Sequence, residues 1–248
     1  MSLLAVRGLA KSYGGVQALR GVTFSVARGE MVAMIGPNGA GKTTCFNLLN
    51  GQLAPDAGTI ELDGRGLAGH APREIWRLGV GRTFQVAATF GSMTVRENVQ
   101  VALLSHGRRL WSMAAIAARA CVPEADALLA RVGLLERAAT PCAQLAYGDL
   151  KRVELAMALA HAPRLLLMDE PAAGMAPPER AELMRLAREL VRADGVAVLF
   201  TEHDMEVVFA HADRILVLAD GELIAQGAPE AVRRDARVRQ VYLGTDDA

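Results

Sequence analysis

An excess of charge of either sign is missing from this sequence. Across 248 residues, 27 lysines and arginines stand against 27 aspartates and glutamates, so the formal net charge is zero. That balance removes the broad basic footprint by which most nucleic-acid binders hold phosphate backbones, and no nucleic-acid partner is expected. Long hydrophobic runs are missing too. Although 52% of the residues are hydrophobic, no stretch of about 18 or more lacks a charge, so no segment is a candidate membrane span. Membrane association is then expected to run through a protein partner. The amino terminus, MSLLAVRGLAKSYGG, lacks the layout of a cleavable signal, which points to a cytosolic protein. Cysteines are few: Cys45, Cys121 and Cys142 are odd in number and show neither metal spacing nor a disulfide pattern, so reduced structural thiols are expected. A chain of this length can bury one sizeable α/β core, with a smaller lobe at most.

What is present is concentrated in MVAMIGPNGAGKTT, residues 31–44, where an apolar run breaks into a glycine-rich turn. The Gly-x-x-x-x-Gly-Lys-Thr spacing of Gly36, Pro37, Asn38, Gly39, Ala40, Gly41, Lys42, Thr43 and Thr44 reads as a phosphate-binding loop. It sets flexible backbone between a buried strand and a helix start, so that several N–H groups can turn onto a polyphosphate. Lys42 is placed to reach β- and γ-phosphates, and the Thr43 hydroxyl to ligate Mg²⁺.

Upstream, residues 3–9 and 22–26 read as strands with Tyr13 in the glycine-rich loop between them, where its ring either stacks on a nucleotide base or packs half-buried. Downstream, a helix over residues 43–50 closes at Gly51, residues 58–63 return as an extended segment, and residues 73–78 form a helical stretch. Gln85 ends the apolar strand that follows, and its amide oxygen either ligates Mg²⁺, holds water or is simply solvated. From residue 86 to 145 alanine, leucine and arginine recur at helical spacing, which predicts a helical subdomain inserted into the α/β core. Its apolar stretch 110–121 serves either packing or a partner. Residues 144–149 lead into a helix over 151–161, with Asp149 near the cap, and free N–H groups at that start favour an anion.

Two further strands carry chemistry. Residues 165–168 run straight into Asp169 and Glu170, as in a parallel strand buried on both faces that delivers acids to the carboxyl edge of its sheet. Beside a phosphate loop, Asp169 would hold Mg²⁺, directly or through water, and Glu170 would polarise an attacking water. Residues 195–201 form a second buried strand that brings His203 to the same edge, where its imidazole can bond a γ-phosphate oxygen or the water. A closing hairpin turns at Asp220 and Gly221, and residues 229–243 read as a terminal helix.

Tyr13, the loop 36–44, Gln85, residues 145–149, Asp169 with Glu170, and His203 stand in the order and at about the spacing of an ABC-transporter ATPase subunit, which the chain resembles over nearly its whole length. The resemblance implies a P-loop NTPase of the ABC ATPase fold, α/β, with an antiparallel β subdomain and an inserted α-helical subdomain. It implies one ABC ATPase domain over residues 1–248, in which 1–85 and 156–227 form the nucleotide-binding core. Residues 86–155 would be the helical subdomain and 228–248 a helical tail. Tyr13 would be the adenine-stacking residue, residues 36–44 the Walker A loop, Gln85 the Q-loop glutamine, and Leu145, Ala146, Tyr147, Gly148 and Asp149 the signature motif. Asp169 would be the Walker B aspartate, Glu170 the catalytic glutamate and His203 the H-loop histidine.

Where the general signature reads Leu-Ser-Gly-Gly-Gln, this chain reads Leu-Ala-Tyr-Gly-Asp. That form, with Arg82-Thr83-Phe84-Gln85, Glu202-His203-Asp204-Met205 and Tyr242-Leu243-Gly244, resembles the ATPases of branched-chain amino-acid importers. Urea or amide uptake, lipopolysaccharide export and soluble, non-transport ABC ATPases are the competing resemblances. Ala146 removes a serine hydroxyl from the expected γ-phosphate contacts, and Ala176 replaces a polar residue of the loop past the glutamate. The family implies ATP and Mg²⁺ as cofactors and a head-to-tail dimer with a sister ATPase or a second copy. It also implies transmembrane permease subunits, an indirect link to a periplasmic or extracellular substrate-binding protein, and a peripheral place on the cytoplasmic face of the inner membrane.

Overall fold

A computed structural model describes residues 2–84, 86–106 and 120–243 of the chain. Gln85, most of the apolar stretch 110–121 and the last five residues of the tail lie outside the described residues. The described strands form two sheets. The smaller is antiparallel, in the order β2-β1-β4-β5, and consists of β1 (Ser2–Tyr13), β2 (Val16–Ala27), β4 (Ala57–Leu62) and β5 (Arg65–Gly66). The larger has the order β10-β9-β3-β8-β7-β6, with β3 (Met31–Ile35), β6 (Val80–Thr83), β7 (Leu165–Asp169), β8 (Ala197–Thr201), β9 (Arg214–Ala219) and β10 (Glu222–Gly227). Its five strands from β9 to β6 pair parallel, and only β10 returns antiparallel.

The larger sheet is apolar on both faces because both are covered. Along β3, Met31, Ala33 and Ile35 face one hydrophobic core while Val32 and Met34 face the other, and β8 divides in the same way between Val198 and Phe200 and Ala197 and Leu199. One core lies against the antiparallel sheet and α1 (Lys42–Leu49). The other lies against the helices that follow the strands, among them α3 (Val95–His106), α4 (Val122–Arg131), α5 (Tyr147–Leu159) and α6 (Pro177–Asp194). A continuous apolar run into a sheet edge is the sequence mark of this arrangement.

Several boundaries differ from the sequence reading. Both amino-terminal strands are twelve residues long, so Tyr13 is the last residue of β1, paired with Val16, and the turn itself is Gly14-Gly15. The helix expected over 151–161 starts four residues earlier, at Tyr147, so Gly148 and Asp149 lie inside its first turn. Asp149 does not cap it: Ala146 is the N-cap, and the buried Asp149 carboxylate accepts from Arg137 at 2.7 Å and from Arg152. The terminal helix is broken into α7 (Pro229–Arg234) and α8 (Ala236–Leu243), because the Asp235 carboxylate accepts the Arg237 N–H at 2.9 Å and starts a new helix. The hairpin turn behaves as its Asp-Gly pair requires, with φ of 48° at Asp220 and 80° at Gly221.

One core group couples this fold to pH. His161 follows α5, is 6% exposed, and its ring stacks on Trp76 of α2 (Pro72–Arg77) with centroids 4.4 Å apart. Burial, with a smaller contribution from the charge on His106, pushes the His161 imidazole down to about 4. Below the ordinary histidine value near 6.5 the unfolded chain therefore takes up a proton that the folded chain refuses. Stability should fall as pH drops from about 6.5 towards 4, and His161→Asn should remove that share of the slope. Urea unfolding at about pH 7 and pH 5 checks this, with a smaller loss of midpoint expected in the variant.

Candidate functional site

The site is assembled by strand order. β3 lies between β8 and β9, and β7 lies on the far side of β8, so the carboxyl ends of β3, β8 and β7 are adjacent. The register is tight: Met34 and Asp169 both pair with Thr201. The chain leaving β3 becomes the glycine-rich loop 36–44, the expected phosphate loop, the chain leaving β7 carries Glu170, and the chain leaving β8 carries Glu202 and His203.

The loop needs its glycines for space. A Cβ on Gly36 would lie 2.2 Å from the Leu218 carbonyl oxygen. One on Gly41 would lie 2.5 Å from that of Ala18, at a φ of 103° that side chains rarely adopt. Gly41 is also the N-cap of α1, with no side chain capping the helix, so the helix start is left to the loop backbone. Pro37, Asn38, Gly39 and Thr43 are exposed, while Ala40 and Lys42 are buried. Lys42 folds back, its Nζ donating to the carbonyls of Gly36 at 2.6 Å and Pro37 at 3.1 Å. Burial lowers its pKa, and the nearby Glu170 and Asp169 charges oppose that shift.

Asp169 and Glu170 share one threonine. The Thr201 hydroxyl donates to Asp169 Oδ1 at 2.9 Å and accepts the Glu170 N–H at 2.9 Å. Glu170 takes a φ of 45°, an uncommon left-handed conformation for a residue with a side chain, which this hydrogen bond helps to hold. Its Oε1 lies 2.8 Å from His203 Nε2. The buried Glu202 next to His203 accepts the Ala172 N–H at 2.8 Å, and burial raises its pKa. Asp169 Oδ2 accepts from Arg82 Nη2 at 3.0 Å.

The structure thus brings residues 36–44, Asp169, Glu170 and His203 together. Tyr13 is 46% exposed at the end of β1, with Lys11 Nζ 5.9 Å from its ring centroid. The four residues 146–149 occur instead at the start of α5, where Ala146 and Tyr147 are exposed and Gly148 and Asp149 buried. A Cβ on Gly148 would lie 2.8 Å from Glu179 Cδ, so the position is closely covered by the start of α6. Three residues escaped the sequence reading as parts of the site: Thr201, Glu202 and Arg82. An arginine inside the apolar strand 80–84 was the available signal, since a charge there needs a buried partner.

These groups suit a magnesium nucleotide. The glycine cradle leaves room for phosphate oxygens where any side chain would intrude. Thr43 and Asp169 offer oxygen donors of the kind a hard divalent cation takes. Lys42 rests on loop carbonyls that a phosphate could replace.

Known proteins resemble this chain in sequence and fold. Residues 19–173 match the ABC transporter family, and residues 222–248 match the branched-chain amino acid ATP-binding cassette transporter family. The chain is 43% identical to the high-affinity branched-chain amino acid transport ATP-binding protein LivG of Salmonella typhimurium, over 98% of each chain. It is 40% identical to the corresponding protein BraF of Pseudomonas aeruginosa, again over 98% of each. Among solved structures, the ADP conformation of an ATP-binding cassette of an ABC transporter superposes with a TM-score of 0.87 at 30% identity, covering 98% of this chain and 99% of that one. A dimeric post-hydrolysis cassette bound to ADP and phosphate gives 0.78 at 26% identity, covering 91% and 98%.

Thr201 tests the geometry. Thr201→Val keeps shape but leaves the Glu170 N–H without its acceptor, which should cost about 1–3 kcal/mol in urea unfolding. Misplacing the two carboxylates should lower phosphate release by about tenfold or more. Nucleotide affinity, read by fluorescence titration, should stay within about threefold, because the loop is untouched.

Proposed function

The chain belongs to the ABC transporter family of ATP-binding subunits, and from that premise we propose that it hydrolyses ATP to power a branched-chain amino-acid importer. The observation that carries the catalytic half of this reading is the pairing of Glu170 Oε1 with His203 Nε2, at 2.8 Å, on the sheet edge next to the phosphate loop. The match of residues 222–248 and the full-length similarity to LivG and BraF support the cargo class.

Each residue has work in this reading. Tyr13 stacks its exposed face on the adenine. The N–H groups of residues 36–44 surround the phosphates, and Lys42 exchanges the carbonyls of Gly36 and Pro37 for β- and γ-phosphate oxygens. Thr43, Gln85 and, directly or through water, Asp169 would hold Mg²⁺, which would neutralise phosphate charge. Glu170 orients the attacking water and accepts its proton as the water oxygen joins the γ-phosphorus and the bond to the ADP oxygen breaks. His203 holds the Glu170 carboxylate and contacts the γ-phosphate.

The site is completed by a second ATPase, a sister subunit or another copy, packed head to tail. Its residues 146–149 point a helix start at the phosphates. With alanine at 146 that contact relies on backbone N–H groups, such as that of Gly148, and on the partial positive charge of α5, worth about 0.3–2 kcal/mol to an anion. ATP closes the pair and hydrolysis releases it. Residues 86–155 then form the unit that moves against a core made of 1–85 and 156–227, with 228–248 as a tail. A groove of about 420 Å³, lined by Trp76, Phe84, Val101 and Met157 among others, lies between the two and suits a permease segment. Among the described residues no helix is long and apolar enough to cross a membrane. The chain would sit peripherally on the cytoplasmic face of the inner membrane and meet the substrate-binding protein only through the permease.

Leucine uptake in a host lacking its own copy of this subunit tests the reading. The native chain should restore uptake, whereas Glu170→Gln should bind ATP with unchanged affinity yet release phosphate at least about a hundredfold more slowly and restore nothing. Near-native phosphate release by Glu170→Gln would remove the catalytic assignment. Native ATPase activity without restored uptake would remove the cargo.

A further inference from the structure

Among the described residues, Arg82 is a strongly engaged charge at this site to which the proposed hydrolysis gives no work. It stands in β6 between buried neighbours, with its side chain 8% exposed. From β6 its guanidinium reaches two other elements. Nη2 donates to Asp169 Oδ2 at 3.0 Å at the end of β7, and Nη1 donates to Asn47 Oδ1 at 2.7 Å in α1, the helix that starts at Lys42. The rings of Phe46 and Phe84 flank it, with centroids 5.9 and 5.0 Å from Cζ. Thr201 already holds the other oxygen of Asp169, so both oxygens of that carboxylate are engaged by protein groups.

The charge arithmetic follows. Lys42 and Arg82 bring two positive charges to the loop, and Asp169 and Glu170 bring two negative ones that reach Lys42. Among these four groups the charges offset one another, so Arg82 weakens the attraction that Asp169 and Glu170 would otherwise offer a divalent cation before a nucleotide arrives. A nucleoside triphosphate changes that by bringing its own negative charges. At short range in a partly buried site one uncompensated charge is worth more than an order of magnitude in affinity.

Resting on the nucleotide-site reading, we propose that Arg82 is a positioning residue that ties Asp169 to the phosphate-loop helix through Asn47 and keeps the site from binding divalent cations until a nucleotide arrives. The cation then enters with ATP rather than ahead of it, which spares the free subunit a loop that holds a cation but no nucleotide. A methionine or glutamine at position 82 keeps most of the volume but removes the charge; lysine keeps the charge but cannot reach Asp169 and Asn47 together.

Mn²⁺, read by its electron paramagnetic resonance signal, reports the cation directly without any turnover. Nucleotide-free native protein should bind Mn²⁺ at least about tenfold more weakly than the ATP-loaded protein. Arg82→Met and Arg82→Gln should both tighten nucleotide-free binding by about tenfold, Arg82→Lys should leave it within about threefold, and adding Asp169→Asn to Arg82→Gln should abolish the gain. Equal Mn²⁺ affinity of the native protein with and without ATP would overturn the proposal, as would an unchanged affinity in whichever neutral variant folds. ATP binding by the native protein is measured alongside. If ATP does not bind, the nucleotide-site reading fails; if it binds and the Arg82 variants match the native protein, the proposal about Arg82 fails alone.

Discussion

The register of three parallel strands is the constraint on which the rest depends. Because Asp169 of β7 and Met34 of β3 both stand opposite Thr201 of β8, the phosphate loop, the acidic pair and the histidine emerge side by side from one sheet edge. A slip of one residue would turn the apolar side chains of β7 and β8 to the wrong cores and carry Asp169 away from Thr201. Burial on both faces makes such a slip costly, so the same packing that stabilises the sheet fixes the chemistry at its edge.

That edge is held by a small set of shared hydrogen bonds rather than by independent side chains. One hydroxyl, that of Thr201, serves both Asp169 and Glu170, and one guanidinium, that of Arg82, joins Asp169 to Asn47 of the phosphate-loop helix. On the far side of the strand, α5 takes hold of the backbone of Phe84: Glu154 accepts its N–H at 2.8 Å, and Lys151 donates to its carbonyl. The helix that carries Gly148 is therefore anchored one residue before Gln85, through two charged side chains that are almost wholly buried. In the proposed function, this is a direct mechanical link between the surface offered to a partner ATP and the edge of the chain's own site.

Most of the residues that the fold gathers at this edge were legible in the sequence, because they stand in rare residue patterns. Glycines at 36 and 41 cannot be replaced without collision, and two adjacent carboxylates at the end of an apolar strand mark a sheet edge where charge is put to use. Thr201 was not legible, since a threonine ending a strand is commonplace and only the pairing of β7 with β8 gives it two partners. Arg82 carried a signal, a charge inside an apolar strand, but its partners Asn47 and Asp169 lie 35 and 87 residues away. Asp149 misled for a related reason: an acid beside a helix start suggests a cap, and the competing arginines at 137 and 152 are visible only once the chain is folded. At Asp235 and along the amino-terminal hairpin, local capping and strand pairing outweigh periodicity, so the element boundaries there moved.

In the proposed function, residues 36–44 form half of a nucleotide site and residues 146–149 form the other half of a partner's. Orthovanadate trapped with MgATP in the assembled transporter, followed by irradiation, cuts polypeptide next to the γ-phosphate position. Two cuts in this chain are predicted, one within residues 36–44 and one within 146–149. Cleavage confined to the loop would contradict the account.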